Sequence, residues 1–199
     1  MNKFCVETDG ILRLRVPFDK IYTSVFAVLT DGTAILVDCA TTAQDVDGYI
    51  VPALLTAGIR PDGLRAIVLT HRHSDHAGGL ARLRELAPDV EIVEKDGWRC
   101  GAISTYPMAG HTADCIGVLD ERTHTLISGD GLQGAGVDKY RCSVKTREGY
   151  FQTLERIRRD ERIESILLSH AYEPWNTDKI LGRQAVCECA EQCKEYVKV

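Results

Sequence analysis

Residues 70–79 read Thr70-His71-Arg72-His73-Ser74-Asp75-His76-Ala77-Gly78-Gly79. Four imidazole or carboxylate side chains, His71, His73, Asp75 and His76, fall within six residues. The apolar run Ala66-Ile67-Val68-Leu69 precedes them and suits a strand buried in a sheet. A helical pattern over 77–86 follows. Imidazole nitrogen and carboxylate oxygen are the donors that zinc and similar ions prefer, and a tight turn between strand and helix converges such groups on a point. His71 and His73 are two apart and share a side of an extended segment. Asp75 and His76 come around the turn and can face a second ion.

Three further candidates stand singly. His111 lies in Met108-Ala109-Gly110-His111-Thr112, between two strand patterns. Asp130 follows an apolar strand in Ser128-Gly129-Asp130-Gly131, and His170 closes one in Leu168-Ser169-His170. Each stands where a rigid scaffold can present a ligand. Taken alone, each also reads as a capping or turn residue. With the dense cluster they make a chemically complete set: seven ligands fill two sites that share one bridge. His124, in the turn Arg122-Thr123-His124, receives no role. Such a pair of ions would lower the pKa of a shared water to near ~7, giving a bridging hydroxide that attacks a carbonyl. One ion would then stabilise the oxyanion. Asp75 and Asp130 are the candidate catalytic carboxylates, Asp75 as proton guide. Tyr140, Tyr172 and Trp175 are candidate substrate contacts. Their other reading is aromatic packing.

Outward from this centre, strands are expected over 11–16, 22–29 and 33–37, with Asp31-Gly32 as the hairpin turn. A helix over 42–57 has Thr42 and Asp45 at its start, Gly58 at its end, and Pro52 inside it as a kink or break. Strands follow over 90–93, 102–107, 115–120 and 125–128, then a helix over 149–160, a strand over 163–168 and a terminal helix over 177–197. Strands followed by helices, twice over, give an α/β or α+β layered class in one domain over residues 1–199.

The formal net charge of −5 argues against a nucleic-acid partner. Lys145, Arg147, Arg156, Arg158, Arg159 and Arg162 alternate with Glu148, Glu155, Asp160, Glu161 and Glu164, which reads as a solvated helix face. No apolar run opens the chain and no segment reaches the ~20 apolar residues of a membrane span, so no membrane partner and a cytoplasmic location are expected. The eight cysteines are then free thiols. Cys187, Cys189 and Cys193 lack a CxxC pair and read as small buried residues, with a structural zinc site as the other reading.

At this point the sequence resembles a known family. Thr70–Gly79 matches the THxHxDHxGG signature of the metallo-β-lactamase fold superfamily. Gly110-His111-Thr112 matches its GHT segment, Ser128-Gly129-Asp130 its GD segment, Val37-Asp38 its VD segment, and His170 its late histidine. The resemblance implies a four-layer αββα sandwich with the metals at one edge. By position, His71, His73 and His111 would hold one metal, Asp75, His76 and His170 the other, and Asp130 would bridge them. Asp38 would orient a ligand. The metals implied are two divalent ions, zinc first, with iron or manganese as alternatives.

Departures narrow the subfamily. Members that cleave β-lactams place Cys or Ser where Asp130 stands, flavo-diiron members carry an acid where His73 stands, and nuclease members usually carry extra domains. The intact set is most similar to the glyoxalase II and lactonase type. Residues 130–139 partly resemble the glyoxalase II segment, which puts Lys139 where that type has a basic substrate-binding residue. The C-terminal helical domain that helps bind glutathione has no counterpart here. The function expected is hydrolysis of a small-molecule thioester, lactone or other ester. Two alternatives stand beside it: an oxidoreductase resembling the mononuclear-iron persulfide dioxygenases, and a metal-binding protein without turnover.

Overall fold

The structure is a computed structural model that describes residues 3–132, 144–172 and 177–196. Two compact units divide the chain, Met1–Glu94 and Lys95–Val199, and each builds its own six-stranded mixed sheet with helices.

The first unit lays down β1(Cys5–Thr8), β2(Ile11–Phe18), β3(Ile21–Thr30), β4(Thr33–Val37), β5(Leu64–Val68) and β6(Glu91–Val93) in spatial order 1-2-3-4-5-6. Strands β1 to β4 meander antiparallel, and β4, β5 and β6 run parallel. The hairpin at Asp31-Gly32 forms as expected, with Gly32 at φ +78° and Thr30 opposite Thr33. β1 went unread in the sequence because its residues, Cys5-Val6-Glu7-Thr8, are mostly polar or exposed.

The helical stretch after β4 comprises α1(Ala43–Asp45), a π-helical turn Val46–Ile50, and α2(Val51–Thr56). The Thr42–Asp45 capping box forms as read: the Thr42 hydroxyl accepts from the Asp45 amide and the Asp45 carboxylate accepts from the Thr42 amide. Pro52 has no N–H to give and would crowd the preceding turn. The chain absorbs it by widening one turn, so that the Val51 amide reaches Val46 O. Pro52 thus sits in the first turn of α2. Gly58, at φ +76°, ends the helix with bonds from its amide to Leu55 O and from Ile59 N–H to Leu54 O, a Schellman closure. One face of the sheet (Leu14, Val25, Leu36, Ile67) packs on Val46, Ile50, Leu54 and Leu83, all buried. Leu83 belongs to α4(Leu80–Leu86), which is preceded by the single turn α3(Ser74–Ala77).

The second unit contains β7(Arg99–Cys100), β8(Ile103–Pro107), β9(Ile116–Asp120), β10(Thr125–Ile127), β11(Ser165–Tyr172) and β12(Thr177–Leu181), in spatial order 12-11-10-9-8-7. Only β10 and β11 run parallel. Its helices are α5(Arg147–Arg159) and α6(Arg183–Tyr196). Tyr150, Thr153, Leu154 and Ile157 form the buried stripe of α5 at the i, i+3, i+4, i+7 spacing. Tyr150, Leu154 and Ile157 pack with Val186, Cys189 and Cys193 of α6 and with Leu119, Leu126 and Ile166 of the sheet.

One expectation needs correction here. The helix expected from 177 begins only at Arg183. Residues 177–181 pair antiparallel with β11, Ser165 opposite Leu181 and Leu167 opposite Lys179, and Gly182 at φ +92° turns the chain into the helix. The ladder along β11 outweighed a helical pattern that was local only. No helix among the described residues is long and apolar enough to cross a membrane.

Candidate metal centre

In the first unit, the cluster stands at the carboxyl ends of the parallel strands β4 and β5, where open α/β sheets place their sites. Asp38 follows β4 directly. It is fully buried and adopts φ +65°, a left-handed conformation that costs energy for a non-glycine residue. Ala40 repeats this at φ +57°. The curled segment 38–41 is clamped to the cluster by backbone bonds: Cys39 N–H to His76 O at 2.6 Å and Gly79 N–H to Ala40 O at 3.3 Å. Gly78 and Gly79 permit this contact. A Cβ on Gly78 would stand 1.9 Å from Thr41 O, and one on Gly79 2.1 Å from Cys39 O. The paired glycines therefore serve a backbone-to-backbone approach.

Asp38 organises the side chains. Its Oδ1 accepts from the Thr70 amide at 2.8 Å, and its Oδ2 lies 2.8 Å from His76 Nδ1. The Thr70 hydroxyl also donates to Asp38, at 2.9 Å, and lies 3.2 Å from His71 Nδ1. The carboxylate can only accept, so His76 carries a proton on Nδ1 and turns Nε2 away from Asp38 as the nitrogen that could hold a metal ion. With its own proton given to Asp38, the Thr70 oxygen accepts from His71 Nδ1–H, which turns His71 Nε2 into an acceptor. His71 Nε2 lies 3.0 Å from His73 Nδ1, and His76 Nε2 lies 3.3 Å from Asp75 Oδ2. His73 opens α3, its carbonyl accepting from the His76 and Ala77 amides, and this single turn brings Asp75 and His76 around. His71, Asp75 and His76 are buried and His73 is half-buried.

The second unit brings together the other three residues. β10 and β11 pair through Ile127 opposite Leu167, and the Ser128 amide continues the ladder to Leu167 O. Asp130, just past the end of β10, thus stands beside His170 on the neighbouring β11, with His170 Nε2 3.3 Å from Asp130 Oδ1. The β11–β12 register shifts between Leu167 and Tyr172, an irregularity of the kind that re-aims side chains at active sites. His170 lies within β11 rather than at its end. His111 sits in the β8–β9 loop and places Nε2 3.8 Å from Asp130 Oδ2. Gly110 at φ +154° lets that loop pass α5, since a Cβ there would fall 2.5 Å from the Tyr150 ring. Thr112 holds the loop from within, its hydroxyl donating to Asp114 at 2.7 Å and lying 3.0 Å from Cys115 Sγ. Burial pushes the Cys115 thiol pKa up, as it does for Cys39. His111, Asp130 and His170 are all nine-tenths or more buried.

Lys139, Tyr140, Trp175 and the side chain of Tyr172 lie outside the described residues. Cys189 and Cys193 are buried in the apolar core and Cys187 is half-buried. Among the described residues no metal-competent group contains a cysteine. The charged run on α5 forms ion pairs: Glu155 with Arg158 at 2.6 Å and Arg159 at 2.7 Å, and Asp160 with Arg162 at 2.7 Å. His124 hydrogen-bonds to Arg162 O at 3.1 Å, a turn contact.

Two features went unread in the sequence. Arg13 is buried on β2 against Glu7 at 3.2 Å and stacks over Phe26. Thr23, buried on β3, donates to Asp75 Oδ2 at 3.2 Å. The signal for Thr23 was present: Thr23-Ser24 is a polar pair inside an apolar strand.

Residues 19–99 match the model of the metallo-beta-lactamase superfamily. The chain is 30% identical over 141 residues to a hydroxyacylglutathione hydrolase of Bdellovibrio bacteriovorus, covering 61% of this chain and 55% of that one. It is 31% identical over 112 residues to a hydroxyacylglutathione hydrolase of Xanthomonas campestris pv. campestris, covering 52% and 41%. The chain thus spans about half the length of the curated relatives it matches. Among solved structures, it is similar to a metallo-β-lactamase of Pseudomonas aeruginosa in a mono-zinc form, with TM-score 0.75 and 19% identity over 98% of this chain and 94% of that one. A metallo-β-lactamase of Erythrobacter litoralis gives TM-score 0.73 and 20% identity over 96% of each chain.

Proposed function

For a chain that carries the metallo-β-lactamase fold, we propose that the two units form one catalytic domain hydrolysing a small-molecule thioester, lactone or other ester with two divalent metal ions. The observation that carries the reading is Asp130: a buried carboxylate with an imidazole Nε2 facing each of its oxygens. The donor set fits divalent cations. Buried ligand-type atoms set side by side, such as His76 Nε2 and Asp75 Oδ2 at 3.3 Å, are costly unless positive charge is shared among them. Only nitrogen and oxygen donors are present, which suits zinc, iron or manganese.

In this reading His71, His73 and His111 hold one ion, Asp75, His76 and His170 hold the second, and Asp130 joins both. When bound, the ions supply a water acidified to near ~7 and a Lewis acid for the carbonyl oxygen. The chain's own residues do the rest. Asp38 keeps His76, and through Thr70 also His71, in the tautomer that offers Nε2. Asp75 is the proton guide. Lys139, Tyr140, Tyr172 and Trp175 are the proposed substrate contacts. The hydroxyacylglutathione hydrolase relatives support a thioester over a β-lactam, as does Asp130 at the bridging position.

The test is turnover of a panel of thioesters, lactones and β-lactams by the metal-loaded chain and by His73→Ala. Thioester or lactone cleavage reduced at least ~100-fold in the variant is expected. Equal rates in both proteins overturn the reading. A single iron per active chain would instead favour oxidation chemistry of the persulfide dioxygenase kind.

A further inference from the structure

We propose that Thr23 is a positioning residue for Asp75, fixing which carboxylate oxygen faces the ring of His76. The inference rests on the metal reading above and adds to it a residue that no motif contains.

The shape of the first sheet carries the argument. β4 ends at Val37, opposite Phe26, so β3 runs on past it through residues 21–25, paired there only with β2. That overhang carries Thr23 beyond the end of β4, the strand from which Asp38 emerges. Val25 and Thr23 point to the same side of β3, and Val25 packs with the helices on that side. Thr23 is 1% exposed, sits opposite Val16 in an unbroken antiparallel ladder, and donates to Asp75 Oδ2 at 3.2 Å across 52 residues of sequence.

The same Oδ2 is the oxygen 3.3 Å from His76 Nε2. A carboxylate turns about a broad two-fold torsion, and Asp75 stands on a helix of one turn that does little to orient it. Threonine suits the task because its branched side chain is stiff at χ1 and a paired strand holds its backbone. Asp75 is thereby held from one side by a strand, as His76 is held by Asp38 from the other. The two residues proposed to share an ion each have a buried partner that fixes their orientation.

The experiment compares the full-length chain with Thr23→Val and Thr23→Ser. Each is stripped and reloaded with zinc, and the two stepwise affinities are read by chelator competition. Cobalt-substituted samples are followed by visible absorption, and thermal unfolding is recorded on the metal-free proteins. Thr23→Val keeps shape and removes the donor, and is expected to weaken one of the two zinc steps about 10-fold. The other step should stay unchanged, with an altered cobalt spectrum and kcat lowered more than KM. Thr23→Ser is expected to restore the weakened step to within about twofold. Wild-type affinity at both steps in Thr23→Val, equal loss at both, or a Thr23→Ser protein no better than Thr23→Val overturns the proposal. If the wild-type chain takes up two zinc ions while Thr23→Val is unaffected, this inference fails alone. If the wild-type chain takes up none, the metal reading fails and carries this one with it.

Discussion

Asp38 occupies a left-handed conformation, is wholly buried and holds three donors, and these facts explain one another. Strain of this kind, of order 1–3 kcal/mol, persists only where surrounding contacts over-determine it. Replacing Asp38 with Asn should keep shape yet put an amide N–H or an uncharged oxygen opposite His76 Nδ1, releasing the tautomer. A fall in metal affinity of about 10- to 100-fold is expected, read by chelator competition, with the far-ultraviolet dichroism unchanged. Gly79→Ala tests the clamp instead of the charge. Its Cβ would meet Cys39 O at 2.1 Å, so a loss of about 2–3 kcal/mol is expected in urea unfolding. At this scale the sequence was legible where ligand chemistry is dense. The spacing of His71, His73, Asp75 and His76 announced itself, and Asp38 followed from the family resemblance. Thr23 did not, because a hydroxyl in an apolar strand acquires meaning only when a carboxylate 52 residues away is brought to it.

At the scale of elements, the readable features were those with a local cause. The Thr42–Asp45 box, the Gly58 closure and the α5 stripe each depend on residues within one or two turns. The stretch 177–181 was misread because its strand state depends on β11, a partner that no window of neighbouring residues includes. Gly182 inside the expected helix was the signal against it. The α5 surface offers a pH prediction. Hydrogen bonds from Arg158, with Arg159 nearby, hold the Glu155 carboxyl down to about 2. A depressed folded-state value means the stabilisation is present above the ordinary carboxyl value of 4.5 and is lost as pH falls toward about 2. Glu155→Gln should flatten that part of the stability profile, measured by thermal unfolding across this range. The effect should be small and weaken in salt, since the pair is partly open to solvent.

At the scale of the molecule, each unit uses a pair of parallel strands to present part of the proposed site. In the first unit the parallel strands β4 and β5 end side by side; in the second, β10 ends beside its parallel partner β11, which runs on through His170. Asp38 and Thr70 emerge from the first pair, and Asp130 follows β10 in the second. These two groups of residues are proposed to act together on a pair of ions. The most direct measurement is the metal content of the purified chain after stripping, reloading with zinc, iron or manganese, and removal of excess ion, alongside Asp130→Ala. Two equivalents per wild-type chain and no more than one in the variant are predicted. A wild-type chain that retains none of the three metals, or an Asp130→Ala chain that still holds two, would contradict it.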